Sequence, residues 1–519
     1  MKSLRILAVL LLLVVLSLSL TALAQDERVL VIGHAESTDS LDPARGYTQT
    51  TGVVLKATYQ TLVTFPDDSA AEILPQLATD WSISDDSLTY TFNLDPAAVF
   101  SDGSPITADD VVFSVNRLIA IAGNPSSLAS SIASVTADDA DTVTFTLNAI
   151  NPAFLAILTN TAFSVVNQEV VEANGGTATA DDAGEAYLNG ASAGSGPYIL
   201  DHWDAQVETV LVRNPNYTGT APYFDRVIIT NIAEAATQKV SLESGEIDLA
   251  LDLTSDQIAS LNGNPDISIY RGPGNIVHFL LMNNNPDVGG PMSNALVQQA
   301  VRKALDYPGY QALWGGVQPG SIMFVGNAYA FSPEQGVQRD LDGARALLTE
   351  AGYPDGFDIT LDYPTFTFQG VNMDTNAQKI QADLAEIGIN VTLNPMEIQV
   401  ALEGYRAGTE GFGYWFWGPD VLDPLDLLSF LPGGNKVDAR AQWTSDDPAL
   451  LDLIASARTA TDPAVREQVF TDLQTYMQTN SPFAPFIQPD VQTAYLATLQ
   501  GYVWHPQWLL DVALLSRAE

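Results

Sequence analysis

Tyr414-Trp415-Phe416-Trp417-Gly418-Pro419-Asp420-Val421-Leu422-Asp423-Pro424 is the stretch from which the rest of the chain is best read. As an extended segment its side chains alternate between faces, so Phe412, Tyr414 and Phe416 point one way and Trp415 and Trp417 the other. Gly418-Pro419 ends the strand, because proline has no N–H for a ladder and glycine permits a sharp turn. Asp420 is left at the strand end beside Trp417. On their own, strand aromatics are core and an Asp after Gly-Pro is a turn residue. The sharper expectation is that this segment walls a ligand cleft, with Asp420 as its charged anchor.

Two helix-to-strand units precede it. Ala344, Leu347, Leu348 and Ala351 share one helix face closed by Gly352, and Phe357, Ile359, Leu361 and Tyr363 alternate straight afterwards. Ala377, Ile380, Leu384 and Ile387 repeat the pattern, with Gly388 as C-cap and Ile389, Val391 and Leu393 as the next strand. Their succession predicts an α/β domain. Val297, Ala300, Val301, Ala304 and Leu305 mark a helix that Pro308 is expected to terminate. Asp462-Pro463 opens a helix whose buried face is predicted at Val465, Val469, Leu473 and Tyr476.

Towards the N-terminus, 29–32 reads as a strand and 53–62 as a short helical pattern ending in Tyr59-Gln60. Leu88, Tyr90, Phe92 and Leu94 alternate, as do Val143, Phe145 and Leu147, and both runs predict half-buried strands. Thr107 with Asp110 makes a capping box for a helix through Leu118. Residues 172–196 read as loop, and Arg271-Gly272-Pro273-Gly274 as a linker where the texture changes. The pass predicts two unequal lobes without an internal repeat.

A chain of 519 residues with 46% hydrophobic content has room for two or three domains. Met1-Lys2-Ser3-Leu4-Arg5, an apolar run from Ile6 to Leu20 and Ala22-Leu23-Ala24 describe a secretory signal peptide, with cleavage expected after Ala24 and a retained membrane anchor as the rival reading. No cysteine is present, which excludes disulfides, thiolate metal sites, a cysteine nucleophile and a lipoprotein anchor. The expected location is therefore the periplasm or the exterior. A formal charge of −41, from 62 acids against 21 bases, repels nucleic acid and anionic lipid.

His34, His202, His278 and His505 are scattered without ligand spacing, so no metal and no cofactor is expected. Neither the phosphate-binding Gly-x-x-x-x-Gly-Lys nor a dinucleotide Gly-x-Gly-x-x-Gly occurs. Asp109-Asp110, Asp181-Asp182 and Asp446-Asp447 lie at helix starts or in loops, where carboxylates cap N–H groups. A carboxylate pair across an aromatic groove is the arrangement of a glycoside hydrolase, which stays as the outsider.

Four stretches together resemble the extracytoplasmic solute-binding proteins of the dipeptide, oligopeptide and nickel class (bacterial family 5), which serve ATP-binding-cassette importers. They are Leu74-Pro75-Gln76-Leu77-Ala78-Thr79-Asp80-Trp81 with Phe100-Ser101-Asp102-Gly103 and the 107–114 segment; Gly196-Pro197-Tyr198 with Arg213-Asn214-Pro215-Asn216-Tyr217; Leu242-Glu243-Ser244-Gly245-Glu246-Ile247-Asp248; and the 344–357 segment. The resemblance implies an α/β, two-lobed Venus-flytrap fold of the periplasmic-binding-protein type with an inserted subdomain. After a 1–24 signal, lobe I is expected to take 25–55, 185–270 and 487–519, with 56–184 inserted, and lobe II 271–486. It further implies a non-enzymatic, monomeric receptor that closes on its solute about a hinge and delivers it to a membrane permease.

In peptide binders of that class an Asp in a Trp-x-x-Asp-x-x-[Asp/Glu]-Pro context takes the ligand's α-ammonium, and Trp417, Asp420, Asp423 and Pro424 fill the four positions. The resemblance extends the expected ligand contacts to Trp415, Phe416, Trp417, Tyr59, Gln60, Phe366 and Phe368. Dipeptide binders carry an arginine in the loop before the Ala377 helix, whereas this chain has none between Arg345 and Arg406 and shows Thr365-Phe366-Thr367-Phe368-Gln369 instead. The expectation is accordingly an oligopeptide ligand, with an oligosaccharide receptor as the alternative.

Overall fold

The computed structural model describes residues 27–35, 38–70, 72–365, 367–368, 371–419, 421–434 and 436–518. Three sheets organise them. A seven-stranded sheet has the order Ile267–Pro273, Asp490–Leu496, Leu249–Ala250, Val29–His34, Arg226–Asn231, Glu208–Arg213, Tyr198–Asp204. A five-stranded sheet has the order Ile389–Met396, Phe357–Pro364, Phe412–Trp417, Val277–Met282, Phe483–Ile487. The third has four antiparallel strands, Ala78–Ile83, Thr89–Leu94, Thr142–Leu147 and Ile132–Ala137.

The four-stranded sheet is backed by helix Ala108–Ile121, whose start carries the Thr107–Asp110 capping box foreseen from sequence. Its buried Tyr90, Phe92 and Leu94 face Val143, Phe145 and Leu147 in one apolar cluster, the half-buried alternation that the sequence announces. In the five-stranded sheet the parallel pair Phe357–Pro364 and Ile389–Met396 is joined by helix Met373–Ala385, a βαβ unit.

The chain passes between the two larger sheets twice. Ile267–Pro273 leaves the seven-stranded sheet, and Val277–Met282 enters the five-stranded one; Phe483–Ile487 leads back to Asp490–Leu496. The crossings are tied together. Gly274 N–H donates to the Pro489 carbonyl at 3.1 Å. The buried Gln488 amide donates to the carbonyls of Gly274 (2.7 Å) and Val325 (3.0 Å), while its oxygen accepts from Val325 N–H at 2.6 Å.

Several expectations are corrected here. Arg271-Gly272-Pro273 is not linker but the end of a strand, paired residue by residue with 490–492, so the crossing itself shrinks to 274–276. Pro308 does not end the Ala295–Ala304 helix; it sits in the first turn of the next one, Tyr307–Trp314, where a missing N–H costs nothing. In helix Pro463–Asn480, Val465 is 49% exposed and the buried positions include Arg466, Val469, Phe470, Leu473, Gln474 and Met477. The 172–196 segment holds a helical turn, Glu185–Leu188, and the 53–62 pattern belongs to helix Gln49–Thr58. The 1–24 segment lies outside the described residues. Among the described residues no helix is long and apolar enough to cross a membrane.

Candidate ligand-binding cleft

Strand Phe412–Trp417 runs through the five-stranded sheet between Phe357–Pro364 and Val277–Met282. Its alternation is as read from sequence. Phe412 and Tyr414 enter one apolar cluster with Phe416 packed against it, and Trp415 enters the other with Trp417 at its margin. Register pairs Trp417 with Val277, directly beside the 274–276 crossing. The strand therefore delivers Trp417 to the edge of the sheet where the two halves of the molecule join.

There Trp417 helps to line a shallow recess with Asn275, Val277, Phe324, Asn327 and Pro419. Its indole N–H donates to Asp426 at 2.8 Å, and Phe430 packs against it edge-on at 5.5 Å. The segment that follows is fixed by Asp423, which caps the turn Pro424–Phe430 through Leu425 N–H (2.8 Å) and receives Arg466 on both oxygens (2.7 and 2.8 Å). Asp423 thus sets the backbone, with both carboxylate oxygens already accepting from the chain itself. Val421 and Leu425 pack against the core of the four-stranded subdomain, and Leu422 joins the same cluster as Phe65 and Ala156. The stretch after Trp417 bridges the two halves.

The remaining expected contacts fall in different places. Trp415 is only 2% exposed; Tyr405 stacks on it at 4.0 Å and its indole donates to Glu410 at 2.7 Å, so it supports the wall from behind. Burial pushes the Glu410 carboxyl up to about 8, against the pull of the Trp415 hydrogen bond. Phe416 lies on the opposite face, with its ring 5.7 Å from His278. Tyr59 is buried, its hydroxyl accepting from Ala193 N–H at 3.3 Å; Gln60 is half-buried and its carbonyl accepts from Val165 N–H at 3.0 Å. Both follow helix Gln49–Thr58 in the other half, pressed by Gly194 and Gly196. A Cβ at Gly196 would lie 2.5 Å from the Ala57 oxygen, which is why Gly-Pro-Tyr begins with glycine. Asp420 and Phe366 lie outside the described residues. Phe368 is described only as backbone, paired with Val371.

Among the described residues no three His, Cys, Asp or Glu side chains are grouped to hold a metal. His278 and His505 are buried, and burial lowers both to about 3, so they stay neutral. One buried acid pair, Asp42 and Asp182, closes on Arg117 with four contacts of 2.6 to 2.8 Å. Burial alone would raise Asp182, but Arg117, the Thr177 N–H and Arg45 hold it down at about 2, leaving no proton to give a leaving group. One serine spacing escaped the sequence reading. Gly190-Ala191-Ser192-Ala193-Gly194 has the Gly-x-Ser-x-Gly pattern, yet Ser192 Oγ accepts from Leu200 N–H at 3.1 Å in a loop, not on a strand-to-helix turn.

Sequence reasoning also missed Asp426, Asn275, Asn327 and Arg466. The first sits a helical turn beyond Asp423 and was legible as a neighbour; the others are brought in by tertiary contact from afar in the chain.

Residues 72–438 match the family model described as bacterial extracellular solute-binding proteins, family 5 middle. The probable D,D-dipeptide-binding periplasmic protein of Escherichia coli K12 is 28% identical over 487 residues, covering 92% of each chain. Among solved structures, HbpA2 of Haemophilus parasuis superposes with a TM-score of 0.83 at 25% identity, over 95% of this chain and 100% of that one. The DppA protein of Helicobacter pylori, in complex with the peptide STSA, gives 0.74 at 25% identity, over 95% and 99%.

Proposed function

Because the chain belongs to the bacterial extracellular solute-binding proteins of family 5, we propose that the solute it takes into the Trp417 recess is an oligopeptide. Members of that family are non-enzymatic receptors of ATP-binding-cassette importers, and the mixed α/β, two-lobed periplasmic-binding-protein fold with an added sheet subdomain is theirs. The Escherichia coli relative and the Helicobacter pylori DppA are named as periplasmic binding proteins, and the proposed location of this chain is the periplasm or the exterior, free of a lipid anchor.

The observation that carries the peptide reading is the way Asp423 and Asp426 are both occupied. One is held by Arg466 and the other by the Trp417 indole, so Asp420, which precedes both in sequence, is the acid of this segment proposed to take a cation. A carboxylate taken out of water by lobe closure attracts an ammonium strongly. Trp417, Phe416, Gln60 and the Phe366–Phe368 segment are proposed to line the peptide, with Trp415 and Tyr59 supporting from behind. Closure brings the lobe of 271–486 against the lobe of 25–55, 185–270 and 487–519 with its 56–184 insert. An oligosaccharide would want a bare ring face; Trp417 is instead flanked by Phe430 and approached at 5.8 Å by Arg440.

The test is native mass spectrometry after incubation with an equimolar mixture of short peptides and malto- and cello-oligosaccharides. Retention of unchanged peptide is expected. Retention of glycan alone overturns the ligand class, and turnover of either overturns the receptor. On a retained peptide, Asp420→Asn is expected to cost about 2–5 kcal/mol of binding; equal affinities remove the anchor.

A further inference from the structure

Arg302, in the last turn of helix Ala295–Ala304, is only 2% exposed. Its guanidinium donates to the carbonyls of Ser481 (2.6 Å), Phe483 (3.2 Å) and Thr479 (2.8 Å). These bonds use the two terminal nitrogens, and among the described residues no acceptor takes Nε. Carbonyl dipoles satisfy donors without supplying a counter-charge, and a buried ion without one is costly. Burial accordingly lowers this guanidinium from its ordinary range to about 10. Other sheltered arginines meet acids: Arg117 closes on Asp42 and Asp182, and Arg466 on Asp423.

Arg302 borders a cavity of about 20 Å³, whose lining includes Gln318, Ser321, Gln478 and Ser481 and no carboxylate. In a chain with 62 acids and 21 bases that is a pronounced local imbalance. The cavity neighbours the Trp417 recess and shares Ile322 with it. Its lining also holds Gly320, Ser321 and Ile322, all buried, and among the described residues no acceptor takes any of their three backbone N–H groups. Ser321 Oγ is spent elsewhere, accepting from Met323 N–H at 3.2 Å and donating to Gln474 at 2.7 Å. Buried N–H groups without a partner are rare. Successive backbone N–H groups in a turn are one of the ways in which a chain receives an anion. The space exceeds the ~10–15 Å³ that one water requires.

We propose that this cavity is an anion site, in which a small monovalent anion such as chloride neutralises Arg302 and accepts from the N–H groups of 320–322. A water there would serve the same donors but leave the charge of Arg302 uncompensated. The anion is a structural ligand that ties the 318–322 segment to helices Ala295–Ala304 and Pro463–Asn480, whichever solute the Trp417 recess takes.

Bromide is the probe, because its anomalous scattering tells it from water. Crystals of the full chain soaked in sodium bromide are expected to show an anomalous peak in the cavity, within hydrogen-bond distance of Arg302. An oxygen without anomalous signal at that place, or bromide at the surface alone, overturns the site. In solution, thermal melts in sodium chloride and sodium methanesulfonate at equal ionic strength hold the screening of the surface acids constant. The wild type is expected to melt about 2 °C or more higher in chloride, because an anion bound by the folded state alone stabilises it. Arg302→Gln is expected to lose that difference. Val337→Leu, which enlarges a lining side chain and keeps the bonds of Arg302, is expected to lose it too and stands in if Arg302→Gln does not fold. Equal melting of the wild type in both salts, or a difference that persists in Val337→Leu, overturns the proposal.

Discussion

Nη2 of Arg466 lies 2.7 and 2.8 Å from the two oxygens of Asp423, tying helix Pro463–Asn480 to the turn behind Trp417. Both side chains are largely hidden, at 8% and 13% exposure. Arg466→Leu is therefore expected to cost about 3 kcal/mol, because it strands a buried carboxylate. Adding Asp423→Asn recovers part of the loss. Urea unfolding midpoints of the single and double variants check this; a single variant as stable as wild type contradicts it.

Trp417→Phe keeps a ring in the wall but removes the donor to Asp426. The expected loss of stability is about 1–2 kcal/mol, the size of one hydrogen bond to a charged acceptor. Asp426→Asn, which still accepts the indole N–H, is expected to lose less. Thermal melts rank the two, and the reverse ranking would count against the hydrogen bond as the reason for the geometry.

Glu410 sets a pH dependence. Its carboxyl is raised from the usual range to about 8 by burial, so the folded chain binds a proton there that the unfolded chain has already released. The stabilising effect of that proton is complete below about pH 4.5, the unfolded value, and drains away as pH rises through about 8. Glu410→Gln is expected to flatten stability across that window and to exceed wild type by a few kcal/mol above it. Chemical denaturation at pH 5, 7 and 9 reads the slope; an unchanged slope in the variant disproves the assignment.

Gly196→Ala places a methyl 2.5 Å from the Ala57 oxygen and 2.6 Å from the Thr58 carbon, both backbone atoms that yield little. An overpacking cost of about 1–3 kcal/mol is expected, with the helix end carrying Tyr59 and Gln60 pushed aside. Hydrogen exchange of the Tyr59 amide, bonded to Leu55 at 2.9 Å, should quicken. Normal protection there would refute it.

The charge of −41 predicts a salt response. Moving from 0.1 M to 1 M KCl shortens the Debye length from about 10 Å to about 3 Å and quiets the repulsion between surface acids. The melting temperature should rise with KCl, and more with KCl than with an isosmolar neutral solute. A fall would mean that ion pairs outweigh repulsion.

Local patterns carried much of the fold into the sequence. Tyr414 and Trp415 part company by strand alternation alone, and Thr107 with Asp110 announces a helix start through a hydrogen bond spanning three residues. Contacts between distant segments left no such trace. Arg466 and Asp423 are 43 positions apart, and the buried side of helix Pro463–Asn480 includes Arg466 because a partner awaits it. Nothing in Val465 says that it faces water. Pro308 was misread because a proline ends one helix and begins another with equal ease, and two residues separate the cases. Of the cleft, the aromatic wall was legible; Asn275, Asn327 and Arg440 were not, since only folding brings them to Trp417.

Gln488 has a mechanical consequence. Two straps laid side by side and pinned at their midpoints flex readily about the line through the pins, as a leather hinge does. Sliding or twisting would first have to tear the amide away from Gly274 and Val325. Under the proposed closure such a joint favours a swing with one degree of freedom, so that each shutting of the jaws would restore the same alignment of Trp417 with whatever it meets.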